Sequence, residues 1–172
     1  MKYYISDLHF FHDNIRRFCN RPFETVEEMN EQLIKNWNSV VEDNDEVYVL
    51  GDMFFKSNSP NAVRGILRKL KGKKYLIRGN HDKWCNDKEL QTWFEWIKIY
   101  DEINDQGRRV ILFHYPIEEW NGYYRDSYCL YGHVHNTEEH LAAINNRYNV
   151  SADVINFTPQ TLDQLIALNE DR

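Results

Sequence analysis

Short apolar runs alternate along the chain with stretches patterned for helices. Lys2–Ile5, Val47–Leu50, Lys74–Ile77, Val110–Phe113 and Tyr128–Tyr131 are four residues each and rich in Tyr, Val, Ile and Leu. Near-continuous apolar runs of that length suit strands covered on both faces. A further β-like run, Tyr148–Val154, follows them. Between the runs the period lengthens. Thr25 and Glu28 make a capping box ahead of Met29, Leu33, Trp37 and Val40, which recur at helical spacing. Ser59-Pro60 reads as an N-cap with proline at the first helical position. Val63, Ile66, Leu67 and Leu70 then form the inward stripe, and Gly72 supplies the stop. Thr158-Pro159 opens a last helix with Leu162, Leu165 and Ile166 inward. Strands separated by helices imply a layered α/β domain. No repeat, low-complexity stretch or linker divides the sequence, so one domain over residues 1–172 is expected, with Asn121–Arg125 as its mobile loop.

Composition narrows the class. An apolar fraction of 42% in 172 residues is enough to bury a sizeable core. The net charge of -6, without a long block of one sign, argues against coating nucleic acid by bulk electrostatics, though it leaves room for a small positive pocket. Cys19, Cys85 and Cys129 are odd in number and lack a CxxC spacing, so neither a disulfide framework nor a structural zinc site is expected. Met1 leads straight into the first apolar run, and no run reaches the roughly 20 residues that cross a bilayer. The expectation is a reduced, soluble, cytoplasmic protein without a signal peptide or membrane contact.

The chemistry sits where the apolar runs end. Six of the seven histidines lie in or beside Asp7-Leu8-His9, Gly51-Asp52, Gly79-Asn80-His81-Asp82, Phe113-His114 and Gly132-His133-Val134-His135. Such positions fall on the loops at the carboxyl ends of strands, where α/β sheets place ligands. Asp7 and His9, two apart on a strand, would share a face and one ion. Glycine before Asp52 allows a turn that lifts a carboxylate able to bridge two cations. His133 and His135 put two imidazoles on one face after a glycine turn. Alone, each motif also has a plain structural reading: a polar strand end, a turn, a satisfied core histidine. Histidines and carboxylates delivered together to one rim are what a two-metal hydrolytic centre requires.

Taken in order from Asp7 to His135, these motifs resemble the calcineurin-like metallophosphoesterase superfamily in its small single-domain form. The resemblance implies a sandwich of two mixed β-sheets flanked by helices. It implies that Asp7, His9, Asp52 and His135 hold one divalent ion, and that Asp52 bridges to a second completed by Asn80, His114 and His133. Mixed nitrogen and oxygen ligands suit Mn²⁺, taken first, or Fe or Zn²⁺, rather than Mg²⁺ or Ca²⁺. Two such ions, two carboxylates and a shared hydroxide carry a local charge of about +1, a cationic pocket in an acidic protein. The implied reaction is attack on phosphorus by that hydroxide, with His81 as general acid on the leaving oxygen. Asp82 is grouped with His81 as a catalytic-loop residue, either fixing the loop or capping a helix.

The substrate is less defined. Protein phosphatases of the superfamily carry Gly-Asp-x-x-Asp-Arg-Gly, and here the run is Gly51-Asp52-Met53-Phe54-Phe55-Lys56-Ser57. A protein phosphatase is therefore not expected, and no partner that orients His81 is visible. Of Arg21, Arg78 and Arg125, candidate phosphate clamps, only Arg78 adjoins a metal motif. His12 and Asn14 either face substrate or start a solvated helix. Phe10, Phe11, Phe54, Tyr115, Trp120 and Tyr123 flank the motif loops; they are expected mainly in the core, with base stacking as the minority reading. The leading expectation is hydrolysis of small phosphodiesters or phosphomonoesters, nucleotides among them. The alternatives are a nuclease, for which no basic stripe or second domain is present, and a non-catalytic metal-binding scaffold, for which a ligand or His81 would have to be missing.

Overall fold

The computed structural model describes residues 1–55, 59–140 and 145–170, so Lys56 and Ser57 lie outside the described residues. Two four-stranded sheets carry the fold. The first orders β1 (Lys2–Ile5), β2 (Glu46–Val49), β3 (Lys73–Ile77) and β4 (Trp96–Lys98), parallel throughout. The second orders β5 (Tyr100–Asp105), β6 (Arg108–Phe113), β7 (Ser127–Tyr131) and β8 (Arg147–Asn149). It alone is mixed: β5 runs antiparallel to β6, and the remaining pairs are parallel. Helices α1 (Asp13–Phe18), α2 (Val26–Val40), α3 (Pro60–Leu67), α4 (Lys88–Gln91) and α5 (Leu162–Glu170) complete the α/β architecture.

The apolar runs are continuous because both faces of the strands are covered. In β6, Val110 and Leu112 join the main core with Tyr4, Ile5, Val49 and Leu76. Ile111 between them turns to the other face and packs with Cys129, its register partner on β7, and with Trp120. A strand buried on two faces loses the polar alternation of a one-sided strand. Tyr4 of the first sheet donates its hydroxyl to Asp105 Oδ2 of the second at 2.9 Å. On α2 the buried stripe is Met29, Asn30, Leu33 and Trp37, while Val40 is half-buried. Thr25 accepts from the Glu28 N–H as its pattern implies, but the Glu28 carboxylate reaches back to the Glu24 N–H instead of closing on Thr25.

Several boundaries differ from the sequence reading, each for a local reason. The run Tyr148–Val154 is a strand only to Asn149, whose side-chain oxygen accepts the Ser151 N–H at 3.0 Å. That asparagine turn ends the ladder, and Ala152–Val154 is a 3₁₀ turn. The last helix does not open at Thr158-Pro159. Gln160 stays extended, exchanging backbone hydrogen bonds with Tyr4 at 2.8 and 3.1 Å, and Thr161 and Gln164 cap each other one residue later. Strands β4 and β5 had not been foreseen: β4 is three residues long, and β5 is Tyr-Asp-Glu-Ile-Asn-Asp. The sequence signal for β5 was the turn. Gln106 and Gly107, with φ of 53° and 87°, form the two-residue link that β-hairpins favour.

Candidate metal centre

The motif loops meet beyond the carboxyl ends of the strands and are laced to one another. Asp7 N–H donates to Gly51 O, and His9 N–H to Asp52 O, both at 3.0 Å. Gly132 N–H reaches His114 O at 2.9 Å. Asp7 and His9 are not strand neighbours sharing a pleat, because β1 has ended at Ile5. Each instead takes a left-handed backbone, with φ of 55° and 51°. Asp52 (52°), His133 (74°) and His135 (51°) do the same, so five of the seven residues expected to bind metal sit in a region that L-residues seldom occupy. Such backbone costs of order 1–3 kcal/mol per residue and persists where the surroundings enforce it. The loops also approach closely enough to require glycine beside these residues. A Cβ on Gly51 would lie 2.4 Å from His114 Nδ1, and one on Gly79 would lie 2.2 Å from Asp52 Oδ1.

Two of the three groups of donor atoms among the described residues are made wholly of motif residues. Asp7, His9 and His135 converge on one side, and Asp52, His114 and His133 on the other. Asp52 Oδ2 stands between them, 3.8 Å from His9 Nε2 and 3.6 Å from His114 Nε2. Asp7 Oδ1 is 3.8 Å from His9 Nε2 and 4.0 Å from His135 Nε2. Asn80 Oδ1 lies 3.1 Å from His114 Nε2 and 3.0 Å from His133 Nδ1. The structure thus brings together all seven residues, with Asn80 and His133 at the exposed rim and the others largely buried.

Burial pushes the Asp52 carboxyl up, but His114, the His81 N–H and His9 outweigh it and hold it at about 2. Burial pulls His135 down, yet Asp153, Cys19 and Asp7 carry it up to about 10. His114 is raised as well, since Asp52 and Asp7 outweigh its burial. His9 is driven well below its ordinary value by burial, and His133 is lowered by burial and by His114.

A profile of the calcineurin-like phosphoesterases matches residues 3–166. The chain belongs to the calcineurin-like phosphoesterase family. It is 41% identical over 172 residues to the uncharacterised protein MJ1445 of Methanocaldococcus jannaschii, covering 98% of this chain and 90% of that one. The crystal structure of AQ665 from Aquifex aeolicus, a protein of unknown function, superposes with a TM-score of 0.77 at 28% identity, covering 98% of each chain. A structure described as a novel archaeal phosphodiesterase shares the fold, with a TM-score of 0.52 at 18% identity over 87% of this chain and 81% of that one. The family is metal-dependent, and the residues of this calcineurin-like phosphoesterase fit a cation. Asp7 Oδ1 and both ring nitrogens of His9 are buried without a hydrogen-bond partner, an expensive arrangement unless something positive joins them. His114 Nδ1 lies 2.7 Å from Leu50 O, which can take its N–H, so Nε2, facing Asn80 and Asp52, is the nitrogen that would bind an ion. Donor atoms 3.6–4.0 Å apart can share an ion, since two bonds of about 2.0–2.2 Å span at most about 4.4 Å.

The remaining candidates separate. His81 is exposed at the rim, its ring 5.5 Å from His9 and 5.1 Å from Phe55, and its backbone N–H donates to Asp52 Oδ1 at 2.8 Å. Asp82 does not reach the rim. It is fully buried and accepts from the N–H groups of Asp52, Met53, Gly79 and the Trp84 indole. That geometry gives it the loop-fixing part, with no oxygen left for substrate. His12, at the N-cap of α1, is not solvated: it is buried and stacked on Phe55 at 3.5 Å, and burial lowers it to about 4. Arg78 turns away. It lines a cavity with Cys85, Phe94 and Trp96 whose lining contains none of the seven ligand candidates. Arg21 is buried and fully engaged, and Arg125 stands exposed in the 121–125 turn. Phe10 and Phe54 are wholly buried, Trp120 nearly so, and Tyr115 is exposed, 4.7 Å from the His133 ring.

Sequence reasoning missed the supports. Asp153 accepts from His135 Nδ1 at 2.8 Å and is gripped by Arg21 at 2.8 and 3.0 Å. The same guanidinium donates to Asp7 O and Leu8 O at 2.7 and 2.9 Å. One buried arginine thereby ties together the loops that carry Asp7, His9 and His135. Ser151 adds a hydroxyl to Asp7 Oδ2 at 2.8 Å. The available signal was Ser-Ala-Asp ending an apolar run, which resembles the motifs but lacks a histidine.

Proposed function

We propose that this calcineurin-like phosphoesterase hydrolyses small phosphodiesters or phosphomonoesters, nucleotides among them, with two divalent cations, Mn²⁺ first. Asp7, His9, Asp52 and His135 would hold one ion, and Asp52, Asn80, His114 and His133 the other. The observation that carries this reading is the place of Asp52 Oδ2, between His9 and His114 at 3.8 and 3.6 Å. Bound divalent ions would supply Lewis acidity at the phosphoryl oxygens and activate water at neutral pH. The chain's own residues do the rest. His81, at the open edge of the site, gives its proton to the departing oxygen. The Asp52 carboxylate holds the His81 backbone N–H at 2.8 Å, a restraint in place of the Asp that this sequence lacks after Gly51-Asp52. Asp82 fixes the spacing between the Asp52 and Asn80 loops through its four N–H bonds. Buried Arg21 and Asp153 set the His135 ring.

No ligand candidate and no candidate acid is missing, which speaks against a non-catalytic scaffold. The test is a panel of phosphodiesters, phosphomonoesters, nucleotides and phosphoserine peptides on Mn²⁺-loaded protein. Bis-p-nitrophenyl phosphate should be turned over, and phosphopeptides poorly. Faster turnover of the phosphopeptides than of every diester and nucleotide overturns the substrate class. No turnover of any ester with Mn²⁺, Fe or Zn²⁺ overturns the activity.

A further inference from the structure

The backbone of His81 is held at both ends. Its N–H donates to Asp52 Oδ1 and its carbonyl accepts the Lys83 N–H, each at 2.8 Å. Its ring is held differently. Among the described residues no hydrogen bond reaches the imidazole, which is exposed and stands against two other rings. One is His9, 5.5 Å away at 64°, and the other is Phe55, 5.1 Å away at 57°. Such separations and tilts are those of edge-to-face aromatic contact.

Phe55 is itself firmly seated. Its N–H donates to Phe10 O at 3.0 Å, next to the bridge between Phe10 and Phe54. Its ring lies flat on the His12 ring, with centroids 3.5 Å apart and planes nearly parallel at 9°. His12 is buried, and its N–H donates to His9 O at 3.1 Å, so the loop that carries His9 also fixes the stack. The place of Phe55 in the sequence adds to this. It stands three residues after Asp52, the position of the second Asp in the protein-phosphatase run Gly-Asp-x-x-Asp-Arg-Gly. A carboxylate at that place could hold an imidazole by a hydrogen bond. A phenyl ring restrains it by shape, limiting the staggered positions an exposed side chain would otherwise visit. That restraint matters, because a misplacement of about 1 Å can cost on the order of 10²-fold in rate.

We infer that Phe55, backed by His12, is the positioning residue of His81, packing against the imidazole so that its proton faces the departing oxygen. This role rests on the reading of His81 as the general acid. Phe55 touches no reacting atom and acts through the histidine.

The test uses the full metal-loaded chain and reads ring order and rate separately. In Zn²⁺-loaded protein, ¹³C relaxation of the His81 ring should show restricted motion in the wild type and freer motion in Phe55→Leu. Phe55→Tyr, which keeps the ring, should restore the restraint. With Mn²⁺, Phe55→Leu should lower kcat on alkyl esters or nucleotides roughly 10–100-fold, and much less on p-nitrophenyl esters, with KM little changed. Phe55→Tyr should recover most of that rate. Placed in His81→Ala, the same Phe55→Leu should add almost nothing, since the residue it positions is gone. His12→Ala, which removes the back of the stack, should give a smaller loss with the same dependence on leaving group. Equal ring motion in wild type and Phe55→Leu, or a full Phe55→Leu loss persisting in His81→Ala, would overturn the inference. Equal losses of His81→Ala on both ester types would overturn the acid role of His81 itself. A loss that depends on leaving group in His81→Ala but not in Phe55→Leu overturns the role of Phe55 alone. Metal content and melting curves guard against a folding defect, and Phe55→Met, with an adaptable unbranched side chain, serves where Phe55→Leu does not fold.

Discussion

The rim of this molecule and the core beneath it are built on opposite terms. In the core, Tyr4, Ile5, Val49, Leu112 and Leu130 are fully buried on regular strands, where apolar burial is the reward and no polar atom is left over. At the rim, Asp7, His9, Asp52, His133 and His135 hold left-handed backbone, and Asp7 and His9 keep buried polar atoms without hydrogen-bond partners. The core is stable by itself, whereas the rim is stable only because the core and the Arg21–Asp153 and Asp82 networks impose it. Such a division is what a preorganised ion site needs: the strain and the unsatisfied lone pairs are held ready for a cation.

If that contrast holds, rim and core substitutions must fail in different ways. The largest effect is expected at Asp52. Asp52→Asn should remove metal-dependent hydrolysis of every ester to background, while lowering the melting temperature of the metal-free protein less than Leu112→Ala does. The core substitution should cost about 2–5 kcal/mol and leave the turnover of the surviving folded molecules intact. Activity assays beside thermal melts on both variants check this, and equal melting losses would break the distinction.

Next is His81→Ala. A positioned general acid is worth about 10²–10⁴-fold, and its value depends on the leaving group. The variant should keep its metals, lose that factor on alkyl esters or nucleotides, and lose little on p-nitrophenyl esters, whose phenolate departs without a proton. Equal losses on both substrate types together with metal loss, seen by elemental analysis, would make His81 a structural residue.

A smaller effect belongs to the supports. Asp153→Asn leaves the shape but weakens the acceptor for His135 Nδ1, and orienting partners of this kind are worth roughly 10–100-fold in metal affinity. Calorimetric titration should show that loss at one of the two ions, and an unchanged isotherm would reduce Asp153 to packing.

The gentlest handle is pH. The His135 imidazole is raised from 6.5 to about 10 in the folded metal-free chain. Its contribution is therefore fully present below pH 6.5 and is lost as pH rises through about 10. A cation that takes the place of this proton removes that alkaline loss, so the gap in melting temperature between metal-loaded and metal-free protein should widen from pH 6.5 toward pH 10. A gap that narrows over that window would contradict the assignment.

How far the sequence reached follows the same line between core and rim. The five apolar runs became strands because two-sided burial leaves a pattern that survives in sequence, as at Val110, Ile111 and Leu112. The motifs at their ends were legible because histidine, aspartate and glycine are dense there. What stayed hidden depends on three-dimensional partners. Asp82 could be read as a cap or a loop residue, and only its four N–H donors decide between the two. Arg21 looked like a phosphate clamp, because nothing local reveals an ion pair with a residue 132 positions away. Strand β4 was lost because three residues carry no period, and the last helix was placed early because Gln160 is held extended by Tyr4 across the chain.

The central claim is that Asp52 is shared by two cations, and a crystal of Mn²⁺-saturated protein measured at the manganese absorption edge tests it most directly. The expected result is two anomalous peaks about 3.5–4 Å apart, with Asp52 Oδ2 between them, His9 and His135 on one peak, and His114 and His133 on the other. A single peak, or two peaks of which only one touches Asp52, would contradict it.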